Sequence, residues 1–192
     1  MKFDKKRLYP IVLILLMFVV YKYRESKNSQ LQIVEGNTMG TTYHIKYLSN
    51  ENLKPQIDSI LKEVNQSLST YIPESEISQF NQNGKLTIKS PYFHPVINKS
   101  SEIFIHTNGA FDPTVMPLVN AWGFGFKNKL IIDSALIDSL LTFVSFDNIQ
   151  FNETSVSTEK RGLMLDFSAI AKGYGSDVVA DYLQSKNIAN YM

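Results

Sequence analysis

Residues Ile11 to Val20 form an unbroken apolar run between a basic start (Lys2, Lys5, Lys6, Arg7) and the pair-rich stretch Tyr21-Lys22-Tyr23-Arg24. Ten consecutive apolar residues leave no polar face, so they do not fit the surface of a globular core as an amphipathic helix does. Basic, apolar, then polar again is the anatomy of a secretory signal or signal anchor. Even with Pro10 and the flanking tyrosines, the stretch is shorter than the roughly 20 residues that cross a bilayer upright, so snorkelling Lys and interfacial Tyr have to complete the span. No Ala-x-Ala-like cleavage site follows, which favours an uncleaved anchor. The chain therefore divides into residues 1–28, a signal or membrane-anchor segment, and residues 29–192, a body expected outside the cytoplasm.

Charge divides the same way. Residues 1–28 carry seven bases and two acids, a net of +5, which leaves 12 bases and 16 acids, a net of −4, for the body. A mildly acidic body without a Lys/Arg stripe argues against nucleic-acid binding, which draws its affinity from neutralised phosphates. The absence of cysteine excludes a disulfide framework, a thiolate zinc site, an iron–sulfur cluster and a lipoprotein lipid anchor. With 44% apolar residues the body is an ordinary globular domain rather than a disordered or coiled-coil segment.

After a short polar linker, Ser26 to Gln30, the stretches Leu31 to Glu35 and Tyr43 to Leu48 read as strands of a hairpin joined through Gly36-Asn37-Thr38-Met39-Gly40. Pro55 suits a first helical turn, and Ile57, Ile60, Leu61, Val64 and Leu68 recur at helical spacing. Ser75 is a natural N-cap for a helix carrying Ile77 and Phe80. Further helices are expected over Pro95 to His106, stopped by Asn108-Gly109, over Ser134 to Phe143, and over Ala171 to Ser185. Leu86 to Lys89, Asn148 to Phe151, Ser155 to Thr158 and Leu163 to Phe167 read as short strands, and Ile188 to Met192 as the opening of another. The expected class is α+β, a largely antiparallel sheet packed with helices and incomplete at the C-terminus, since the neighbours of the last strand are expected to lie outside this sequence.

Chemistry concentrates at three loci. The first is Asp166-Phe167-Ser168-Ala169-Ile170-Ala171-Lys172-Gly173-Tyr174-Gly175, where an apolar strand delivers Asp166 and a helix opens with Lys172 on its first turns. Free helix N–H groups beside an ammonium suit a diphosphate. The same residues read equally as a capping turn with Lys172 in solvent. The second locus, Thr107 to Gly125, places Asp112, two prolines and four small residues around Phe111, Trp122 and Phe124. It suits either the wall of a flat aromatic ligand or a rigid packed loop in which Asp112 caps a turn, and on its own the packed loop is favoured. The third pairs Met39-Gly40-Thr41 with Ser69-Thr70-Tyr71 through Phe80-Asn81, where Met39 and Tyr71 either line a ring-binding cleft or fill the core. The histidines His44, His94 and His106 have neither ligand nor triad spacing, and no Gly-x-Ser-x-Gly, Walker A or Gly-x-Gly-x-x-Gly motif is present.

Taken in this order, Met39-Gly40-Thr41, Ser69-Thr70-Tyr71 through Phe80-Asn81, Gly109-Ala110-Phe111-Asp112-Pro113-Thr114 through Trp122-Gly123, and Asp166 through Lys172-Gly173-Tyr174 resemble the FAD:protein FMN transferases, the ApbE-type flavin transferases. The resemblance runs from about Val34 to Tyr191, and the acidic, threonine-containing metal motif that the family carries farther on is not in this sequence. It implies a magnesium-dependent enzyme on the extracytoplasmic (periplasmic) side of a bacterial cell membrane. Such an enzyme splits the FAD diphosphate, moves FMN to a Thr or Ser hydroxyl of a target flavoprotein such as an electron-transfer complex subunit, and releases AMP. Two alternatives keep FAD but change the outcome: a pyrophosphatase that uses water, and a non-catalytic flavin-binding remnant. Carried over residue by residue, the resemblance implies FAD contacts at Met39, Tyr71, Ala110, Phe111, Asp112, Asp166 and Lys172, and a metal-facing backbone carbonyl at Ala169. It assigns no catalytic residue. Ser168-Ala169 stands where the family more often has Gly-Gly, and Met116 where many members have Gly, a change expected to narrow the pocket.

Overall fold

The computed structural model describes residues 5–27, 29–125 and 131–192. Residues 1–4 of the basic start and Asn28 of the expected linker lie outside them. A helix, α1 (Lys5–Lys27), carries the apolar run, and its side chains from Ile11 to Val20 are 48–62% exposed. Among the described residues, no helix is long and apolar enough to cross a membrane.

The body opens with β1 (Gln30–Thr38) and β2 (Thr41–Ser49), paired antiparallel from Gln30 opposite Ser49 to Thr38 opposite Thr41. The ladder runs through Gly36, Asn37 and Thr38, so the expected five-residue connection shrinks to Met39-Gly40. Both take positive φ, +49° and +70°. Two such residues give a turn whose twist matches the strands, and glycine takes the second place without penalty. Next come α2 (Lys54–Leu68) and α3 (Glu76–Asn83), the latter capped by Ser75, whose hydroxyl accepts from the Ser78 amide at 3.2 Å, and closed by Gly84 in the left-handed region. These helices follow the periodicity of their apolar residues: Ile57, Leu61, Val64 and Leu68 are all buried along one face of α2.

The remaining elements are β3 (Lys85–Thr87), α4 (Phe93–His106), α5 (Met116–Ala121), α6 (Ser134–Leu141), β4 (Gln150–Phe151), β5 (Ser155–Ser157) and α7 (Ser168–Ser185). The antiparallel sheet of the expected α+β fold comes in two pieces, β1-β2 and a small sheet of order β3-β5-β4. Each piece has its own core. One gathers Phe80, Phe93, Val96, Ile97, Leu165 and Phe167 beneath the three-stranded sheet, with the Phe93 and Phe167 rings edge to face at 5.5 Å. The other holds Val34, Tyr47, Ile57, Val179 and Leu183 between the hairpin and the helices. Both α2 and α7 contribute to both cores, so the two halves meet along these helices. Burying each large aliphatic or aromatic side chain contributes about 1.5–3 kcal/mol.

Three expectations need correction. Leu163 to Phe167 alternates as a strand does, with Leu163, Leu165 and Phe167 buried, yet it makes only a single parallel bridge, Met164 to Val115. α5 stands where a loop was read, because Pro117 occupies its first turn and there costs no hydrogen bond. The final residues do find a neighbour within this sequence. Lys46 and Leu48 of β2 donate to the carbonyls of Met192 and Asn190 at 2.7 and 3.1 Å, and the Met192 amide donates back to Lys46 at 2.8 Å.

Candidate functional site

Where α2 and α7 pass beneath the hairpin turn, a cavity of about 930 Å³ opens. Met39 enters it from the turn, Tyr71 from the loop after α2, Met116 from α5, Asp166 from the segment just before α7, and Lys172 from the start of α7. Four residues singled out from three separate stretches of sequence, Met39, Tyr71, Asp166 and Lys172, thus share one concavity. Ala110, Phe111 and Asp112 do not line it, nor does Ala169, an exposed residue in the first turn of α7. Met116 is 1% exposed and forms part of the wall.

The turn is held from two sides. The Asn65 carboxamide on α2 donates to the Thr38 hydroxyl at 2.8 Å and to the Leu61 carbonyl at 3.1 Å. On the other side the Met39 methyl rests on α7 at Gly175, where an added Cβ would come within 2.8 Å of it. Left-handed backbone at a non-glycine residue is uncommon and costs roughly 1–2 kcal/mol. Here it sets a polarizable thioether on the cavity rim. Farther along the hairpin, the Tyr43 hydroxyl donates to Asp58 at 2.5 Å and Lys54 reaches the same carboxylate at 2.7 Å. Hydrogen bonding to Lys54, then to Tyr43, pulls the Asp58 carboxyl below its ordinary range, while burial, followed by the bond to Asp58, pushes the Tyr43 phenol up.

Asp166 is half-buried and accepts from the Ser168 amide at 2.7 Å and the Ser168 hydroxyl at 2.5 Å, both on Oδ1. Ile170 and Ala171 donate to the Phe167 carbonyl at 3.0 and 2.8 Å. The leading amides of α7 are therefore largely taken, and the open amide set expected for an anion shrinks to that of Ala169 together with the helix dipole. The exposed Lys172 ammonium has no hydrogen-bond or ion-pair partner among the described residues. Across the opening, the Tyr71 hydroxyl donates to the Phe124 carbonyl at 2.8 Å.

Asp112 sits in a second constellation. Its Oδ1 accepts from the Thr114 amide and hydroxyl at 2.8 and 2.6 Å, and its Oδ2 from the Phe146 amide at 3.2 Å. The Thr114 oxygen in turn accepts from the Ser145 amide at 2.9 Å. This pins residues 112–114 to the turn at 145–146.

Sequence reasoning missed Asn65, which lines the cavity and fixes its roof, and also Asn120. The Asn120 Oδ1 is buried without a partner among the described residues and lies against Gly125, where any Cβ would fall 1.9 Å from it. A polar residue on an otherwise apolar helical face was the available signal at Asn65. Asn65 lies outside every motif, and Asn120 lies within the Thr107 to Gly125 locus without being singled out there. Among the described residues there is no cluster of three or more His, Asp or Glu arranged to hold a metal.

The family model for the ApbE family matches residues 39–192. A Vibrio cholerae protein named FAD:protein FMN transferase is 38% identical over 172 residues, covering 83% of this chain and 51% of that protein. Its counterpart in Haemophilus influenzae is 36% identical over 183 residues, covering 86% and 53%. The chain spans about half the length of these curated relatives. Among solved structures, the flavin transferase ApbE from Vibrio cholerae superposes with a TM-score of 0.80 at 36% identity, covering 85% of this chain and 56% of that one. The apo flavinyl transferase ApbE of Pseudomonas stutzeri gives 0.77 at 27% identity, covering 85% and 55%. With the hairpin turn, the Tyr71 loop and the Asp166 turn all inside the matched region, this chain belongs to the ApbE family.

Proposed function

We propose that residues 29–192 form the flavin-gripping part of an FAD:protein FMN transferase. The observation that carries the reading is the convergence of Met39, Tyr71, Asp166 and Lys172 on one cavity large enough for a dinucleotide. Met39 and Tyr71 supply a thioether and a phenol ring for flat heterocycles. Lys172 offers a fixed positive charge to the diphosphate, assisted by the positive end of α7. Asp166, with one oxygen committed to Ser168, has its second oxygen left to accept from a ligand hydroxyl or imide. The Ala110-Phe111-Asp112 segment, which the resemblance also implies, does not line this cavity, and Asp112 holds residues 112–114 to the turn at 145–146 instead.

In the transfer, the acceptor's Thr or Ser oxygen bonds to the flavin-side phosphorus. The bond from that phosphorus to the AMP oxygen breaks, AMP leaves with the electron pair, and the hydroxyl proton is released. Lys172 favours this by stabilising charge on the phosphate oxygens as it builds. Magnesium, expected from the resemblance, takes six oxygens and has one candidate donor here, the Ala169 carbonyl. That set does not fit a complete magnesium site. Residues 1–28 are read as the anchor that holds the domain on the extracytoplasmic face of the membrane, a reading supported by the basic flank and the exposed apolar run of α1.

The test is to incubate the chain with FAD, Mg²⁺ and a candidate flavoprotein acceptor, then follow flavin fluorescence on a denaturing gel and AMP release. FMN that stays attached to the acceptor, with one AMP per FMN, supports transfer. Free FMN plus AMP replaces the reading with hydrolysis, and FAD bound but unconsumed replaces it with binding alone.

A further inference from the structure

The segment at 163–167 alternates buried and half-buried side chains yet has no strand along either edge. Its backbone is held by other means. The Leu165 amide donates to Asn81 Oδ1 at 2.7 Å, and Asn81 Nδ2 donates to the Leu165 carbonyl at 2.8 Å, so one carboxamide satisfies both polar groups of a residue, as a neighbouring strand would. On the opposite edge the Asp166 amide donates to the Pro113 carbonyl at 2.7 Å. Successive residues of an extended chain present their amides to opposite sides, which is why Leu165 meets Asn81 and Asp166 meets Pro113. Asn81 stands on α3, 84 positions away along the chain, and α3 is fixed by its Ser75 cap and its buried Ile77 and Phe80. Immediately after the clamp come Asp166, its bonds to Ser168, and the first turn of α7 with Lys172.

We infer that Asn81 is a positioning residue for the flavin site: its carboxamide clamps Leu165 and thereby sets the height at which Asp166 faces the cavity. The inference rests on the functional reading above for what Asp166 binds, but the clamp itself is independent of any ligand. No other bond among the described residues ties Leu165 to a neighbour. Glutamine carries the same amide on a longer stem, so it cannot restore the spacing. Aspartate keeps the acceptor for the Leu165 amide but sets a carboxylate oxygen against the Leu165 carbonyl.

The experiment uses the 192-residue chain and its variants Asn81→Ala, Asn81→Asp, Asp166→Ala and the double variant Asn81→Ala with Asp166→Ala. Amide hydrogen exchange without ligand reads the clamp. In Asn81→Ala the Leu165, Asp166 and Ser168 amides exchange at least about tenfold faster, and in Asn81→Asp the Asp166 and Ser168 amides do, while those of Ile88 and Thr158, which bond to Thr154 and Gly84, keep their rates. FAD titration reads the consequence. Asn81→Ala weakens FAD binding about tenfold in the native background and by less than about twofold once Asp166 is Ala, because both changes remove one interaction. Unchanged exchange at Leu165, or a uniform rise everywhere, overturns the clamp. Additive losses in the double variant overturn its action through Asp166. If the unmodified chain retains no FAD, the functional reading fails instead, and the exchange pattern still decides whether Asn81 holds the segment.

Discussion

Asp112 and Asp166 begin alike and end in different roles. Each accepts, on Oδ1, both the amide and the hydroxyl of the residue two positions on, Thr114 in one case and Ser168 in the other, at 2.5–2.8 Å. They are even neighbours, since the Asp166 amide bonds to the carbonyl of Pro113. The second oxygen separates them. That of Asp112 takes the Phe146 amide and closes a loop into the fold, while Asp166 has no such bond among the described residues and lines the cavity. Local sequence builds the turn, and what lies opposite decides whether the carboxylate is spent on structure or left for a ligand.

The largest expected effect tests the structural half of this contrast. Asp112→Ala strands the amides of Thr114 and Phe146 and costs about 2–4 kcal/mol in denaturant unfolding. A loss no greater than that of Asp166→Ala would erase the distinction. Next comes the ligand side. Lys172→Ala, at an exposed position, leaves thermal stability nearly unchanged and weakens FAD binding by about 10–100-fold, as expected for loss of a charge-assisted contact. A large drop in melting temperature with unaltered FAD affinity would make the lysine structural. The two hydroxyl partners sharpen the comparison. Thr114→Val, buried and serving both Asp112 and the Ser145 amide, costs about 1–2 kcal/mol, whereas Ser168→Ala, exposed, stays within about 0.5 kcal/mol.

Smallest is the pH response of the hairpin clamp. The folded Asp58 carboxyl is depressed by Lys54 and Tyr43, so its contribution is present above the unfolded carboxylate range and fades as pH falls through the lower folded value. Acid titration of Asp58→Asn should therefore lack a small loss of stability that the unmodified chain shows below that range. The exposed, salt-screened pair makes this a minor effect. Equal acid profiles would remove this cluster from the forces that hold the hairpin against α2.

How much of this is legible in the sequence depends on the range of the interactions. Helices α2, α3 and α4 were readable because their apolar spacing, the Ser75 cap and the Asn108-Gly109 stop are local. So was the hairpin, although its ladder runs on to Thr38 and leaves only Met39-Gly40 to turn. The 163–167 strand was misread because its alternation is real while its partner is a side chain from α3. α5 was hidden by Pro117, which marks a helix start as readily as a loop. At the site, Met39, Tyr71, Asp166 and Lys172 came from motifs, and their convergence could not be seen in any one of them. At Asn65 the only local sign is a polar side chain on an apolar helical face, because its work is to hold Thr38 across a long gap in sequence. Nothing in the residues around Asp112 announces that Phe146 will claim its second oxygen.

Flavin is proposed to enter the cavity between the Met39 turn and the start of α7. Methionine methyl resonances of the chain, recorded during FAD titration, test it most directly, because Met39 and Met116 line that cavity whereas Met17 lies on α1 and Met164 outside the lining. Saturable shifts at Met39 and Met116, with Met17 and Met164 unmoved, are expected. Shifts at Met17 or Met164 alone, or no shift at Met39 when FAD is bound, would contradict it.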